Sequence, residues 1–142
     1  QRQMCIRDRY TSGSTALPKG VMFGHGPVMA HLAQLQRTVR LGEDSAAVSW
    51  LPPYHDMGLI GSLLLPAFTG FPITMMSPIS FLQKPLRWLQ AISRVGAQFS
   101  GGPNFAYELA VRKIAPEQRE SLDLSSWNYA AASAEPITPP GP

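Results

Sequence analysis

Tyr10-Thr11-Ser12-Gly13-Ser14-Thr15-Ala16-Leu17-Pro18-Lys19-Gly20 brings four Ser and Thr hydroxyls, a flexible glycine and one lysine into a segment too short and too polar for a core. Hydroxyls and backbone N–H groups are compact donors, and a loop built from them can fold around a polyanion. Gly13 allows backbone angles that a β-carbon forbids, so successive N–H groups can turn towards one point. Pro18 stiffens the exit, and Lys19 adds a full positive charge on a long stem. A polyphosphate is the ligand that such a loop suits.

The spacing departs from a Walker A loop, which needs Gly, four residues and then Gly-Lys-Ser/Thr opening a helix. Here Lys19 follows Pro18, and Gly20-Val21-Met22-Phe23 continues as an apolar run that reads as a strand. The expected grip is that of a hairpin-like loop. Ser, Thr, Gly and Pro are also ordinary turn residues, and composition alone favours a plain surface turn.

A second stretch, Leu51-Pro52-Pro53-Tyr54-His55-Asp56-Met57-Gly58-Leu59-Ile60-Gly61, follows a compact apolar run at 46–51 that reads as a buried strand. The Pro-Pro break delivers an aromatic, an imidazole and a carboxylate to the end of that strand, where open α/β sheets place their ligands. A helix rich in Gly, Leu and Ile should follow. On the residues alone a capped turn stays open, with Asp56 as N-cap and His55 packed on its neighbour.

Around these stretches strands and helices alternate. Pro27 suits a first helical turn, after which Val28, Met29, Leu32 and Leu35 share a face opposite Gln34 and Arg37. Gly42 is the expected stop, and His31 reads as a surface or packing residue. Residues 70–76 form a short strand. Leu86, Leu89, Ile92 and Val95 mark an amphipathic helix containing Trp88, with Lys84 and Arg87 on its solvated side. Residues 97–100 are a strand leading into Gly101-Gly102-Pro103-Asn104. Phe105, Leu109 and Ile114 suggest the buried stripe of the next helix, and 122–127 a capped turn. A strand over 128–132 then precedes Ser133-Ala134-Glu135-Pro136. The pattern is that of an α/β fold, a sheet with helices packed around it.

At 142 residues the chain can form one domain with a real core. A formal charge of +3 without a basic face argues against a nucleic-acid partner. Cys5 is the only cysteine, which excludes a disulfide framework and zinc spacing and fits a cytoplasmic protein. The most apolar window, 58–73, is broken by Pro66 and Gly70 and is too short for a transmembrane segment. Residues 1–9 are polar and charged without strand alternation, and Met4 to Arg9 resembles a translated sequencing adapter. They are expected to be foreign and are left out of the fold reasoning.

Thr11 to Val21 resembles the phosphate-binding signature Thr-Ser-Gly-Ser-Thr-Gly-x-Pro-Lys-Gly-Val of the adenylate-forming superfamily, with Ala16 in place of a glycine. Tyr54 to Gly61 resembles the second motif in its fatty acyl-AMP ligase form. The run Gly-Pro-Asn-Phe-Ala-Tyr-Glu-Leu from Gly102, and Ser133-Ala134-Glu135-Pro136 against the family's Gly-Ala-Glu-Pro, extend the likeness to nearly the whole chain. The resemblance implies that residues 10–142 are part of the large N-terminal AMP-binding domain, without the C-terminal domain.

In that resemblance Thr11, Ser12, Gly13, Ser14, Thr15 and Lys19 hold the β- and γ-phosphates of ATP. His55 serves catalysis beside the reacting carboxylate and α-phosphate. Asp56, Met57 and the helix after them wall the acyl tunnel, and Phe105 and Ala106 border the acyl and adenosine pockets. Ser133, Ala134, Glu135 and Pro136 line the adenine pocket, and His25 matches the histidine that follows the phosphate loop. The implied activity converts a fatty acid and ATP into acyl-adenylate and pyrophosphate, for transfer to an acyl carrier protein or to a polyketide or nonribosomal synthase. An acyl-CoA synthetase with the same first half-reaction, and a non-catalytic nucleotide- or acyl-binding protein, are the alternatives. ATP chemistry implies Mg2+, for which the sequence shows no carboxylate cluster. The family's downstream Tyr-Gly-x-x-Glu segment, ribose-binding aspartate and C-terminal lysine would lie beyond Pro142, so the segment alone is expected to be inactive.

Overall fold

Alternate residues of one short strand set the two faces of the sheet. In the computed structural model, which describes residues 7–11 and 19–133, β3 (Ala47–Ser49) is buried along its whole length. Ala47 joins a cluster with Leu32, Leu41, Leu65 and Phe71 on one face. Val48 joins Trp50, Phe81, Trp88 and Ile92 on the other. Burial on both faces is the signature of a parallel strand covered by helices. β3 lies between β4 (Ile73–Met75) and β5 (Phe99–Gly102), and β5 pairs with β6 (Tyr129–Ala132). All three pairings are parallel, giving the order β4-β3-β5-β6.

A separate antiparallel pair precedes this sheet. β1 (Arg7–Thr11) runs against β2 (Lys19–Phe23), with Thr11 opposite Lys19 and Arg7 opposite Phe23. The intervening residues 12–18 lie outside the described residues. The backbone of Arg7 to Arg9 therefore carries strand pairing that a reading without alternation left aside.

Helix α1 (His25–Thr38) buries Leu32 against the first cluster. It begins two residues before Pro27, stops before Gly42, and turns Met29 outward, so the apolar face is narrower than its spacing suggests. After β3, α2 (Asp56–Leu59) continues through a π-helical turn (Ile60–Leu64) into α3 (Leu65–Thr69), which ends on the left-handed Gly70. Ser77 caps α4 (Pro78–Gln83) by accepting from the Ser80 N–H at 3.1 Å. Helix α5 (Leu86–Val95) buries Leu86, Trp88, Ala91 and Ile92, and Arg87 stays exposed, as its sequence suggests. Helix α6 (Asn104–Lys113) is followed by the short α7 (Pro116–Arg119). The buried stripe on α6 is Ala106 and Ala110, continued by Ile114, and not the expected Phe105 and Leu109. Small side chains let α6 approach β5, and Phe105 is rotated out to 41% exposure.

One hydroxyl ties three of these elements together. Ser100 on β5 accepts from Trp88 Nε1 at 2.8 Å and donates to the Val48 carbonyl at 2.6 Å. Tyr107 on α6 donates to the Ala131 carbonyl at 2.9 Å and so pins β6.

Ser100→Ala leaves the Trp88 N–H unpaired in the core and should cost about 1–3 kcal/mol of stability, read by chemical denaturation. Burial pushes the Tyr107 hydroxyl from 10.0 up to about 12. Between those values the unfolded chain has lost a proton that the folded form retains, so stability should fall as pH rises through this window. Tyr107→Phe should flatten that alkaline slope in pH-dependent melts, and an unchanged slope would assign it to another group.

Candidate functional site

The strand order creates a crevice. From β3 the chain crosses to β4 on one side, and from β5 it crosses to β6 on the other. Between the carboxyl ends of β3 and β5 the connections therefore part, which is where open parallel sheets hold their ligands. A cleft of about 470 Å3 opens beside this point, within the range of small-molecule sites. Ser49 at the end of β3, Gly101 on β5, and Ala131 and Ser133 at the end of β6 line it from the sheet. His55, Asp56, Met57, Ile60 and Ser62 line it from the helix after β3, and His31 and Leu35 from α1 with Val39 at its C-terminal cap.

His55 is held by its own backbone neighbourhood. It is the N-cap of α2, and its Nδ1 accepts from the Met57 N–H at 3.2 Å. A ring nitrogen that accepts carries no proton, so in this neutral tautomer the proton sits on Nε2, leaving a donor for a ligand. The expected alternative had Asp56 as the cap. Asp56 instead occupies the first turn, where a carboxylate suits the positive end of the helix.

Gly58 lets this helix sit where it does. A β-carbon there would collide with the Pro52 carbonyl, a backbone group with no rotamer to change. The Pro-Pro break and the glycine thus form one joint, with the helix start seated on the strand exit. Gly102 plays a similar part deeper in the core, since a β-carbon there would lie 2.6 Å from the Trp50 ring. The tight strand-to-helix turn expected at 101–104 thus owes its glycine to packing.

The structure brings some sequence-selected residues together and leaves others apart. His55, Asp56, Met57 and Ser133 share the cleft. Phe105 and Ala106 are not in its wall. Ala106 is closed off in the core, and the Phe105 ring meets the Trp50 ring edge-on at 6.0 Å. Thr11 and Lys19 are paired across the β1–β2 hairpin, while Ser12, Gly13, Ser14, Thr15, Ala134, Glu135 and Pro136 lie outside the described residues. Among the described residues no three His, Cys, Asp or Glu side chains gather to hold a metal ion, and no helix is long and apolar enough to cross a membrane.

Two contributors escaped the sequence reading. His31 reaches the cleft with Leu35 and Val39, one and two turns further along α1, and that i, i+4, i+8 spacing was a usable signal. Ser62 hydrogen-bonds Ser49 at 2.6 Å across the cleft wall, a pairing between residues thirteen apart that no local pattern announces.

The sequence profile of AMP-binding enzymes matches residues 9–140. The chain is 47% identical over 129 residues to the medium-chain fatty acid–acyl-carrier-protein ligase JamA of Moorena producens, spanning 91% of the chain and 22% of that protein. It is 45% identical over 129 residues to the corresponding ligase TtuA of Teredinibacter turnerae, spanning 91% of the chain and 20% of that protein. Its fold matches the crystal structure of a fatty acyl-adenylate ligase from L. pneumophila in complex with acyl adenylate and pyrophosphate. The TM-score is 0.86 at 48% identity, over 92% of this chain and 23% of that one. The chain thus spans about a fifth to a quarter of the length of these relatives.

Gly58→Ala should push the helix start off Pro52, lowering stability by about 1–3 kcal/mol and shifting the His55 ring. Thermal denaturation together with the His55 imidazole NMR shifts checks both, and unaltered values would mean that the joint yields without cost.

Proposed function

The chain belongs to the AMP-binding enzyme family, and from that premise we propose that it contributes the phosphate loop and one acyl-binding wall to a ligase joining a fatty acid to AMP. The observation that carries this reading is the capped His55, with Nε2–H available as a donor, in the wall of a largely apolar cleft at a sheet switch point. An apolar slot suits an acyl chain, and a donor beside it suits a carboxylate.

In the proposed reaction a carboxylate oxygen attacks the α-phosphorus of ATP, a P–O bond forms, and the bond to pyrophosphate breaks. The substrate is itself the nucleophile, so the protein's task is alignment and charge stabilisation. Thr11, Ser12, Gly13, Ser14, Thr15 and Lys19 would hold the β- and γ-phosphates. The pairing of Thr11 with Lys19 supports a loop closed at both ends. His55 Nε2–H would hold the carboxylate and an α-phosphate oxygen in line. Ser133, with Ala134, Glu135 and Pro136, would line the adenine site next to the cleft. ATP chemistry brings Mg2+ with it. Among the described residues no cage of His, Cys, Asp or Glu is present for that ion. JamA and TtuA are named for acyl-carrier-protein acceptors, so a carrier-protein thiol is the acceptor we propose. The remaining catalytic parts would come from outside residues 10–142.

In the full-length enzyme, His55→Ala should lower fatty-acid-dependent pyrophosphate release about 100-fold, the scale for losing one aligned donor. Unchanged turnover would remove His55 from the mechanism. Wild-type enzyme that releases no pyrophosphate with any fatty acid would remove the ligase reading, and thioester formation on adding CoA would replace the carrier protein as acceptor.

A further inference from the structure

We propose that the Ser49–Ser62 pair is a hydrogen-bond donor inside the acyl cleft that selects fatty acids bearing an oxygen, as a hydroxyl or oxo group, partway along the chain. The inference rests on the acyl-binding reading of the cleft and names its substrate class.

Proton counting carries the argument. Ser49 and Ser62 are 4% and 2% exposed, and both line the cleft. Their hydroxyl oxygens lie 2.6 Å apart, a bond that uses one of the two hydroxyl protons whichever residue donates. Ser49 Oγ also accepts from the Leu51 N–H at 3.2 Å, which fills a lone pair and uses no hydroxyl proton. One proton of the pair is left without an acceptor among the described residues. A buried donor without an acceptor costs free energy, and the opening that both residues share is the cleft. An otherwise apolar slot with one spare donor fits a chain with one acceptor oxygen, because a plain chain leaves that donor unpaired.

The backbone gives the donor its depth. Crossing from β3 to the parallel β4 requires the intervening helix to run from the carboxyl edge of the sheet back towards its amino edge. His55 stands at the start of that helix and Ser62 seven residues on, about 10 Å along a helical axis. The donor therefore meets the chain several carbons inward from a carboxylate held at His55. The π-helical turn, in which the Leu65 N–H reaches the Ile60 carbonyl, re-aims the side chains of precisely this stretch, and Ser62 lies within it.

The test is competition in the full-length enzyme between an unsubstituted fatty acid and its oxo or hydroxy analogues of equal length, moved carbon by carbon, with adenylates quantified by mass. One positional isomer should be preferred about 5- to 10-fold, the scale of one hydrogen bond. The double variant Ser49→Ala/Ser62→Ala removes both hydroxyls together and leaves only the Leu51 N–H without its acceptor, a cost to stability that bears equally on every substrate. In it the preference should fall to within about twofold, read as a ratio so that any change in overall rate cancels. A wild-type enzyme that activates plain acids and favours no isomer overturns the proposal and leaves the ligase reading standing, as does a preference that survives in the double variant. Failure to form adenylate with any acid overturns both.

Discussion

Ser100 is the constraint on which the rest of the structure depends. Its hydroxyl receives the indole N–H of Trp88 and passes its own proton to the Val48 carbonyl, so α5, β5 and β3 meet at one buried atom. A hydroxyl in that place has no water to fall back on, and its geometry must be met on both sides at once. Parallel pairing of β3 with β5 gains a side-chain tie where the two strands share only two register positions. From that fixed pair follow the level of Ser49 against Gly101 and the position of the crevice between them.

The two faces of the sheet are built for different ends. On one, Trp50 stacks on Phe81 with centroids 4.1 Å apart, and Trp88 meets Phe81, Tyr107 and Trp127 edge-on. Offset and edge-to-face contacts between large rings fill space densely and restrict motion. On the other, aliphatic side chains from α1, the π-helical turn and α3 pack on Ala47 and leave the cleft beside that contact. The sealed face supplies stiffness, and the open face uses it.

What the sequence disclosed, and what it withheld, follows from the range of the interactions concerned. The Pro-Pro break and His55-Asp56 mark a strand exit through local backbone chemistry, so the position of the imidazole at the end of β3 was legible. The strand order was not, because nothing within Ala47–Ser49 states that its neighbours are β4 and β5. The stripe of α6 was misjudged for a related reason. Phe105 is the more hydrophobic residue, yet the close approach of Gly102 and Trp50 leaves room only for Ala106. Periodicity identified a helix, and packing against a partner chose its face. Likewise His55 took the capping role expected of Asp56, since an imidazole nitrogen reaches the Met57 N–H as a carboxylate oxygen would. The segment read as a phosphate loop, residues 12–18, lies outside the described residues. Its flanks, Thr11 and Lys19, pair antiparallel.

Among the described residues Trp50 Nε1 on the aromatic face and Thr69 Oγ1 on α3 are buried with no partner, and neither residue lines the cleft. On the cleft face the spare proton of the Ser49–Ser62 pair adjoins open volume, where an incoming acceptor can relieve its cost. An unpaired donor in a sealed core affects stability alone, whereas one beside a cavity makes binding free energy depend on what enters. The helix that bears Ser62 also bears His55 at its capped start, so carboxylate and chain would be read from one rigid element. Their separation is then a property of the helix, and a substrate is measured against it by where its own oxygens fall.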